Sequence, residues 1–133
     1  MKGLLTAGGH GTRLRPITHT KNKHLIPIAN QPMLTYAINY MKNANILDIG
    51  IVINKNDKEI ENIFGTEKKY GVNLTYITQN SPLGLAHVIK ISEDFIGKDN
   101  FLFYLGDNIL VGGVKKFLDE FNKLKSNCHL VLS

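Results

Sequence analysis

Gly8-Gly9-His10-Gly11-Thr12-Arg13-Leu14-Arg15-Pro16 follows the apolar run Lys2-Gly3-Leu4-Leu5-Thr6-Ala7, and this junction decides how the 133-residue chain is read. The run reads as a buried strand. Three glycines in four positions leave a backbone almost free of Cβ atoms, which can take positive φ and bring its N–H groups close to an anion. Arg13 and Arg15 add planar, permanently charged forks suited to phosphate oxygens. A Gly-rich turn between strand and helix is also common for purely structural reasons. The surrounding charge separates the two readings. From Met1 to Leu47 there is no Asp or Glu, whereas Lys2, Arg13, Arg15, Lys21, Lys23 and Lys42 are all basic. A neutral turn has no use for that field, and a polyphosphate does.

Two familiar phosphate loops do not fit. A Walker A loop places Lys-Ser or Lys-Thr after its last glycine, where this chain has Thr12-Arg13. A dinucleotide fingerprint needs a small residue at Leu14 and an acid about twenty residues on, yet the first acid is Asp48. Pro16 also prevents a helix from starting directly at the loop.

Outward from the loop, strands and helices alternate. Asn30 is placed to cap a helix with Pro32 in its first turn and Leu34, Ala37, Ile38 and Met41 on one face. Leu47 to Ile53 reads as a strand buried on both faces. Asp57 is placed to cap a short helix bearing Ile60, Ile63 and Phe64, with Gly65 beyond its end. Val72 to Ile77 reads as a strand, Pro82 to Ile96 as a helix stopped by Gly97, and Phe101 to Leu105 as the fourth strand. Val114, Phe117, Leu118, Phe121 and Leu124 mark an amphipathic helix, and His129 to Leu132 begins a fifth strand. This order implies one α/β domain over residues 1–133, a mostly parallel sheet with helices on both faces. Ligands of such sheets sit at the carboxyl ends of the strands. The Gly-rich loop, Gln79 and Asp107 all fall at such ends.

Composition narrows the partners. The apolar share is 43% and the charged share 20%, ordinary for a globular domain. A net charge of +5 admits nucleic acid, but no basic run interleaved with aromatics occurs, so a small anionic ligand is expected and nucleic acid is not. No apolar run reaches membrane-span length. Cys128 is the single cysteine, which excludes an internal disulfide and fits a cytoplasmic location.

Leu5-x-Ala7-Gly8-Gly9-x-Gly11-Thr12-Arg13-Leu14-x-Pro16 followed by Lys23-x-Leu25-Ile26-Pro27 resembles the sugar-1-phosphate nucleotidylyltransferases. Gln79-x-x-Pro82-x-Gly84-Leu85-Ala86 and Leu105-Gly106-Asp107-Asn108 are most similar to the glucose-1-phosphate thymidylyltransferase branch, in particular its longer members. The likeness covers roughly residues 2 to 113. Thr6 stands where relatives usually carry an aliphatic residue and His24 where many carry Gln. Members of the family run to well over twice this length, so the three-layer α/β/α, Rossmann-like nucleotidyltransferase fold is expected to be cut short after its fifth strand. The second metal-binding Asp and the sugar-phosphate lysine of the family are not matched.

The resemblance implies transfer of a nucleotidyl group from dTTP, or UTP, to glucose 1-phosphate, with Mg²⁺ as cofactor and dTDP-glucose and pyrophosphate as products. Ala7, Gly8, Gly9, Gly11, Thr12 and Arg13 would hold the nucleotide's phosphates, and Gln79 and Gly84 its base. Lys23, otherwise a solvated lysine, would join Arg13 as a catalytic cation. Asp107, otherwise a turn-forming residue before Asn108, would bind Mg²⁺, which takes one or two carboxylates plus phosphate oxygens and water. Two other readings stand beside this one: a non-catalytic nucleotide-binding or assembly module, and a UTP-dependent uridylyltransferase. An unpaired sheet edge predicts self-association into a homo-oligomer. In an active enzyme carrying this sequence, Arg13→Ala is expected to lower turnover by about 10²-fold or more, the scale for losing one preorganised charge-stabilising donor. Steady-state rates check this, and unchanged rates would remove Arg13 from the site.

Overall fold

Leu4 and Leu5 are adjacent in the first strand, β1 (Lys2–Thr6), and both are completely buried, in separate clusters on opposite faces of one sheet. A strand with apolar side chains on both faces needs cover on both, and the rest of the chain supplies it. The computed structural model describes residues 1–8, 22–55, 57–65, 70–124 and 127–131. Gly9 through Lys21, with Gly11, Thr12 and Arg13 among them, lie outside the described residues.

β1 pairs in parallel with β4 (Asp48–Asn54) on one side and β6 (Phe101–Leu105) on the other, and β4 pairs in parallel with β5 (Asn73–Gln79). The order is β5-β4-β1-β6. On one face Leu5, Ile49, Ile51 and Ile53 meet Leu34, Ala37, Ile38 and Met41 of α1 (Met33–Asn43), Ile60 and Phe64 of α2 (Glu59–Phe64), and Leu118 of α5 (Lys115–Leu124). On the other, Leu4 and Val52 meet Val88 of α3 (Leu85–Ile91) and Ile96 of α4 (Glu93–Ile96), with Phe95, Phe101 and Phe103 packed around them. The three-layer, mostly parallel arrangement expected from the sequence is what forms.

Local details differ from the pattern reading. Asn30 does not cap α1. Ala29 and Asn30 have φ of 47° and 64° and turn a small hairpin between β2 (Pro27–Ile28) and β3 (Gln31–Pro32). Positive φ at both central residues is the pattern of a type I′ two-residue hairpin loop, and Asn tolerates it. Pro32 then stands at the N-cap. At the other end of α1, Asn45 (φ 60°) and the bonds Asn45 N–H to Lys42 O and Ile46 N–H to Met41 O close a Schellman motif. Asp57 does not cap α2 either; Lys58 holds that place without a side-chain bond. The expected helix from Pro82 to Ile96 starts only at Leu85 and breaks at Ser92, whose buried hydroxyl donates to Val88 O at 2.8 Å. Such back-bonding bends helices. β5 runs two residues further than expected, so Gln79 ends the strand rather than following it.

The fifth strand does not form among the described residues 129–131, where Leu130 and Val131 are exposed. A strand there would need a pairing partner, and the four-stranded sheet does not include this segment. β6 is correspondingly less buried than the inner strands.

Gly50 of β4 lies beneath the Phe95 ring: a Cβ there would sit 2.8 Å from Phe95 Cε1 and 3.1 Å from Ile77 Cδ1. Gly50→Ala is expected to cost about 1–3 kcal/mol in urea unfolding, the usual range for overpacking. Combining it with Phe95→Leu should recover part of that loss, because the clash is with the ring and not the backbone.

Candidate functional site

Because all four strands of the main sheet are parallel, their carboxyl ends lie on one edge. β1 exits through Ala7 and Gly8, β4 ends at Asn54, β5 at Gln79, and β6 exits through Gly106 and Asp107. The ladders continue past the strand ends. Ala7 N–H donates to Val52 O at 2.8 Å, and Gly106 N–H to Thr6 O at 3.0 Å. Gly8 and Gly106 are glycines for want of space. A Cβ on Gly8 would approach Asn54 Oδ1 to 2.9 Å, and one on Gly106 would approach Thr6 O to 2.4 Å. Backbone cannot yield as a side chain can, so Gly106 is the stricter of the two.

Lys23 opens a 3-10 turn (Lys23–Leu25) that packs against α1. Its ammonium meets Asp107 Oδ2 at 2.5 Å, with both side chains only partly exposed. Burial pushes the Asp107 carboxyl up, but the Lys23 hydrogen bond and charge outweigh it and hold the group below the usual carboxylate value. Asp107 is therefore ionised at neutral pH. An ionised carboxylate with no side chain on Gly106 before it is a group that could hold Mg²⁺. Among the described residues no group of three or more His, Cys, Asp or Glu is placed to hold a metal by itself.

Next to this pair lies His24, 1% exposed, with Cδ2 only 3.1 Å from the position of a Cβ on Gly106. Burial, then the Lys23 charge, push its imidazole down from 6.5 to about 4, against the pull of Asp107. The ring is neutral at physiological pH. Asn22 accepts from His24 N–H at 2.9 Å and contacts His24 Nδ1 at 2.7 Å through the same oxygen. Its amide nitrogen donates to Ala7 O at 3.0 Å and to the Asp57 carboxylate. Asp57, assigned from the sequence to helix capping, belongs instead to this cluster. Gln79 is buried, and its Nε2 lies 3.0 Å from His87 Nδ1, tying the first turn of α3 to the end of β5. Its Oε1 faces Gly8. Gly84 begins that turn with φ 91°, a conformation that favours glycine.

Of the residues singled out in the sequence, Ala7, Gly8 and Gln79 come together at one end of the edge, and Lys23 and Asp107 meet at the β6 exit. Asn22, Asn54, Asp57 and His87 join them without a sequence signal of their own, since each is an ordinary polar residue that only the fold brings to the edge.

The molecule is thus a doubly wound α/β protein with a glycine-rich exit and a charged, partly buried cluster at the carboxyl edge of its sheet. The sequence profile of the nucleotidyl transferase family matches residues 2–133, and the chain belongs to that family. It is 47% identical to a glucose-1-phosphate thymidylyltransferase of Streptomyces griseus over 133 residues, all of this chain and 38% of that one. It is 51% identical to a low-salt glycan biosynthesis nucleotidyltransferase of Haloferax volcanii over 122 residues, 91% of this chain and 34% of that one. A mannose-1-phosphate guanyltransferase of Saccharomyces cerevisiae is 39% identical over 92% of this chain and 35% of its own. Among solved structures, a Bacillus anthracis protein provisionally assigned as a glucose-1-phosphate thymidylyltransferase superposes with a TM-score of 0.88 at 37% identity, over 94% of this chain and 51% of that one. A UDP-glucose pyrophosphorylase complexed with UDP-glucose gives 0.79 at 27% identity, over 93% and 54%. The chain spans little more than a third of the length of these curated relatives.

The neutral His24 sets a pH dependence. Its folded pKa lies below the unfolded value, so between pH 6.5 and about 4 the unfolded chain binds a proton that the folded chain refuses. Stability from this group is complete above pH 6.5 and falls as the pH drops toward 4. The full loss is about 3 kcal/mol. Urea unfolding at pH 7 and pH 4.5 should show most of it, and His24→Gln should flatten that interval. An unchanged pH profile in His24→Gln would show that the histidine is not the cause.

Proposed function

We propose that this chain forms the nucleotide-binding side of a site that transfers a thymidylyl group from dTTP to glucose 1-phosphate, giving dTDP-glucose and pyrophosphate. The observation that carries the reading is the meeting of Lys23 and Asp107 at the β6 exit, on the same sheet edge as the Gly8 exit and Gln79. A sugar 1-phosphate is largely a dianion at neutral pH. Its oxygen needs no general base to attack the α-phosphorus; the bond from that phosphorus to the bridging oxygen breaks, and pyrophosphate leaves. The protein's part is then to hold two anions together and spread charge in the transition state. In this reading Gly8 and the glycines after it in sequence would supply backbone N–H groups, Lys23 and Arg13 positive charge, and Asp107 would hold Mg²⁺. When bound, the ion supplies charge neutralisation at the phosphates.

For the base, one N–H of Gln79 Nε2 is engaged by His87, and among the described residues no hydrogen-bond donor meets Oε1, which is then the acceptor offered. Thymine and uracil carry an N3–H donor for it, whereas cytosine carries an acceptor at N3. A site closed by Gln79 and the first turn of α3 around a pyrimidine leaves little room for a purine. dTTP is placed first because of the 47% identity to a thymidylyltransferase, and UTP second because of the likeness to the UDP-glucose pyrophosphorylase. No described helix is long and apolar enough to cross a membrane. A cytoplasmic site of action and self-association belong to the same reading; the outer edge of β6 has no partner strand among the described residues.

Calorimetric titration with dTTP, UTP, ATP and GTP, with and without Mg²⁺, tests this. The two pyrimidine nucleotides should bind most tightly, and Mg²⁺ should strengthen their binding. Asp107→Asn should abolish that enhancement, and Lys23→Ala should weaken dTTP binding roughly tenfold or more, as expected for a charged hydrogen bond. ATP or GTP as the tightest ligand would end the thymidylyl reading.

A further inference from the structure

Asn22 uses all of its hydrogen-bonding capacity within the protein. A side-chain amide has two N–H donors and an oxygen with two lone pairs. Here the donors go to Ala7 O and the Asp57 carboxylate, and the oxygen takes His24 N–H and His24 Nδ1. The four contacts reach three separate segments: the exit of β1, the connection between β4 and α2, and the 3-10 turn that carries Lys23. Because the Asn22 oxygen can only accept, His24 Nδ1 carries the proton, so the amide also selects the tautomer of the ring packed against Gly106.

We propose that Asn22 is a positioning residue for triphosphate binding, aiming the first N–H of the glycine-rich loop and the ammonium of Lys23 at one anion. The inference rests on the nucleotide-binding reading above and names a residue through which that site is assembled. The first link is the planarity of the peptide bond. Ala7 C=O and Gly8 N–H belong to one rigid trans unit and point in opposite directions. Anchoring Ala7 O on Asn22 therefore turns Gly8 N–H away from Asn22 and fixes the peptide plane at the exit of β1. The second link is the 3-10 turn. Asn22 caps it by accepting from His24 N–H, which fixes the backbone on which Lys23 stands. Lys23 then reaches Asp107 across 84 residues of sequence.

No other side chain of this length does the same. Asp has no donor, and would set a carboxylate against both Ala7 O and the Asp57 carboxylate. Ser has one donor where two are used.

Tripolyphosphate and thymidine serve as separate probes, because the proposal concerns phosphate and not base. Asn22→Asp should weaken tripolyphosphate and dTTP binding by about ten- to a hundredfold, the range for losing hydrogen bonds to a charged, part-buried cluster. Thymidine binding should change less than twofold. Asp57→Asn in the Asn22→Asp background should recover part of the loss, since the swap restores one donor facing one acceptor. If Asn22→Asp fails to fold by circular dichroism, Asn22→Ser, which is neutral, should still weaken tripolyphosphate several-fold. The ¹⁵N spectrum of His24 gives a check without ligand: Nδ1 should be protonated in the wild type and lose that preference in Asn22→Ala. Equal loss of tripolyphosphate and thymidine, or undiminished tripolyphosphate affinity in the folded variants, would overturn the proposal. Wild-type chain that binds tripolyphosphate but not dTTP would sink the thymidylyl reading and leave this one standing.

Discussion

The parallel register of β1 between β4 and β6 is the constraint on which the site depends. Thr6 stands level with Val52 on one side and Leu105 on the other, so the two exits that follow, Ala7-Gly8 and Gly106-Asp107, leave the sheet at one height. Both exits stay hydrogen-bonded to a neighbouring strand for one more residue. A slip of one residue would turn Leu4 and Leu5 to the wrong faces and bury neither cluster correctly. The apolar core therefore holds the register, and the register holds the chemistry. Gly106 marks how tight this is, because the Thr6 carbonyl occupies the space a side chain would need.

Electrostatics at the edge are arranged around one ion pair in a partly dry place. Lys23 and Asp107 lower each other's cost of desolvation, and breaking such a pair leaves an uncompensated charge. The neutral ring of His24 suits that setting. A second cation beside Lys23 would add repulsion where solvent screening is weak, and burial keeps the proton off. In the proposed reading the same pair would open when nucleotide arrives, a phosphate competing for Lys23 and a metal ion for Asp107. The field of the first 47 residues, which contain no acid, favours that exchange, since Asp107 comes from the far end of the chain and is the counter-charge described for Lys23.

Local punctuation in the chain was readable where one residue had one job. Gly65 and Gly97 end α2 and α4 with positive φ, as glycines after an amphipathic run should. It misled where a residue type serves two purposes. Asn30 suits both an N-cap and a left-handed turn, and the turn prevails because the hairpin it closes brings Pro32 to the start of α1. Ser92 could sit within a helix or break it, and only burial beneath the sheet makes its hydroxyl bond back to Val88. The segment at His129 has strand-like composition, but composition does not provide a partner strand.

The sequence by itself determined the α/β class, the glycine-rich exit, the basic N-terminal field and the placing of Gln79 and Asp107 at strand ends. These follow from periodicity, charge and steric freedom, all of which are properties of neighbouring residues. Tertiary structure alone decided that Lys23 pairs with Asp107, that Asp57 turns to Asn22 instead of capping a helix, that His87 holds Gln79, and that His24 is kept neutral. Each depends on distances between groups far apart in the chain, set by strand register and by which side chains are dried by packing. A linear pattern carries no such distances.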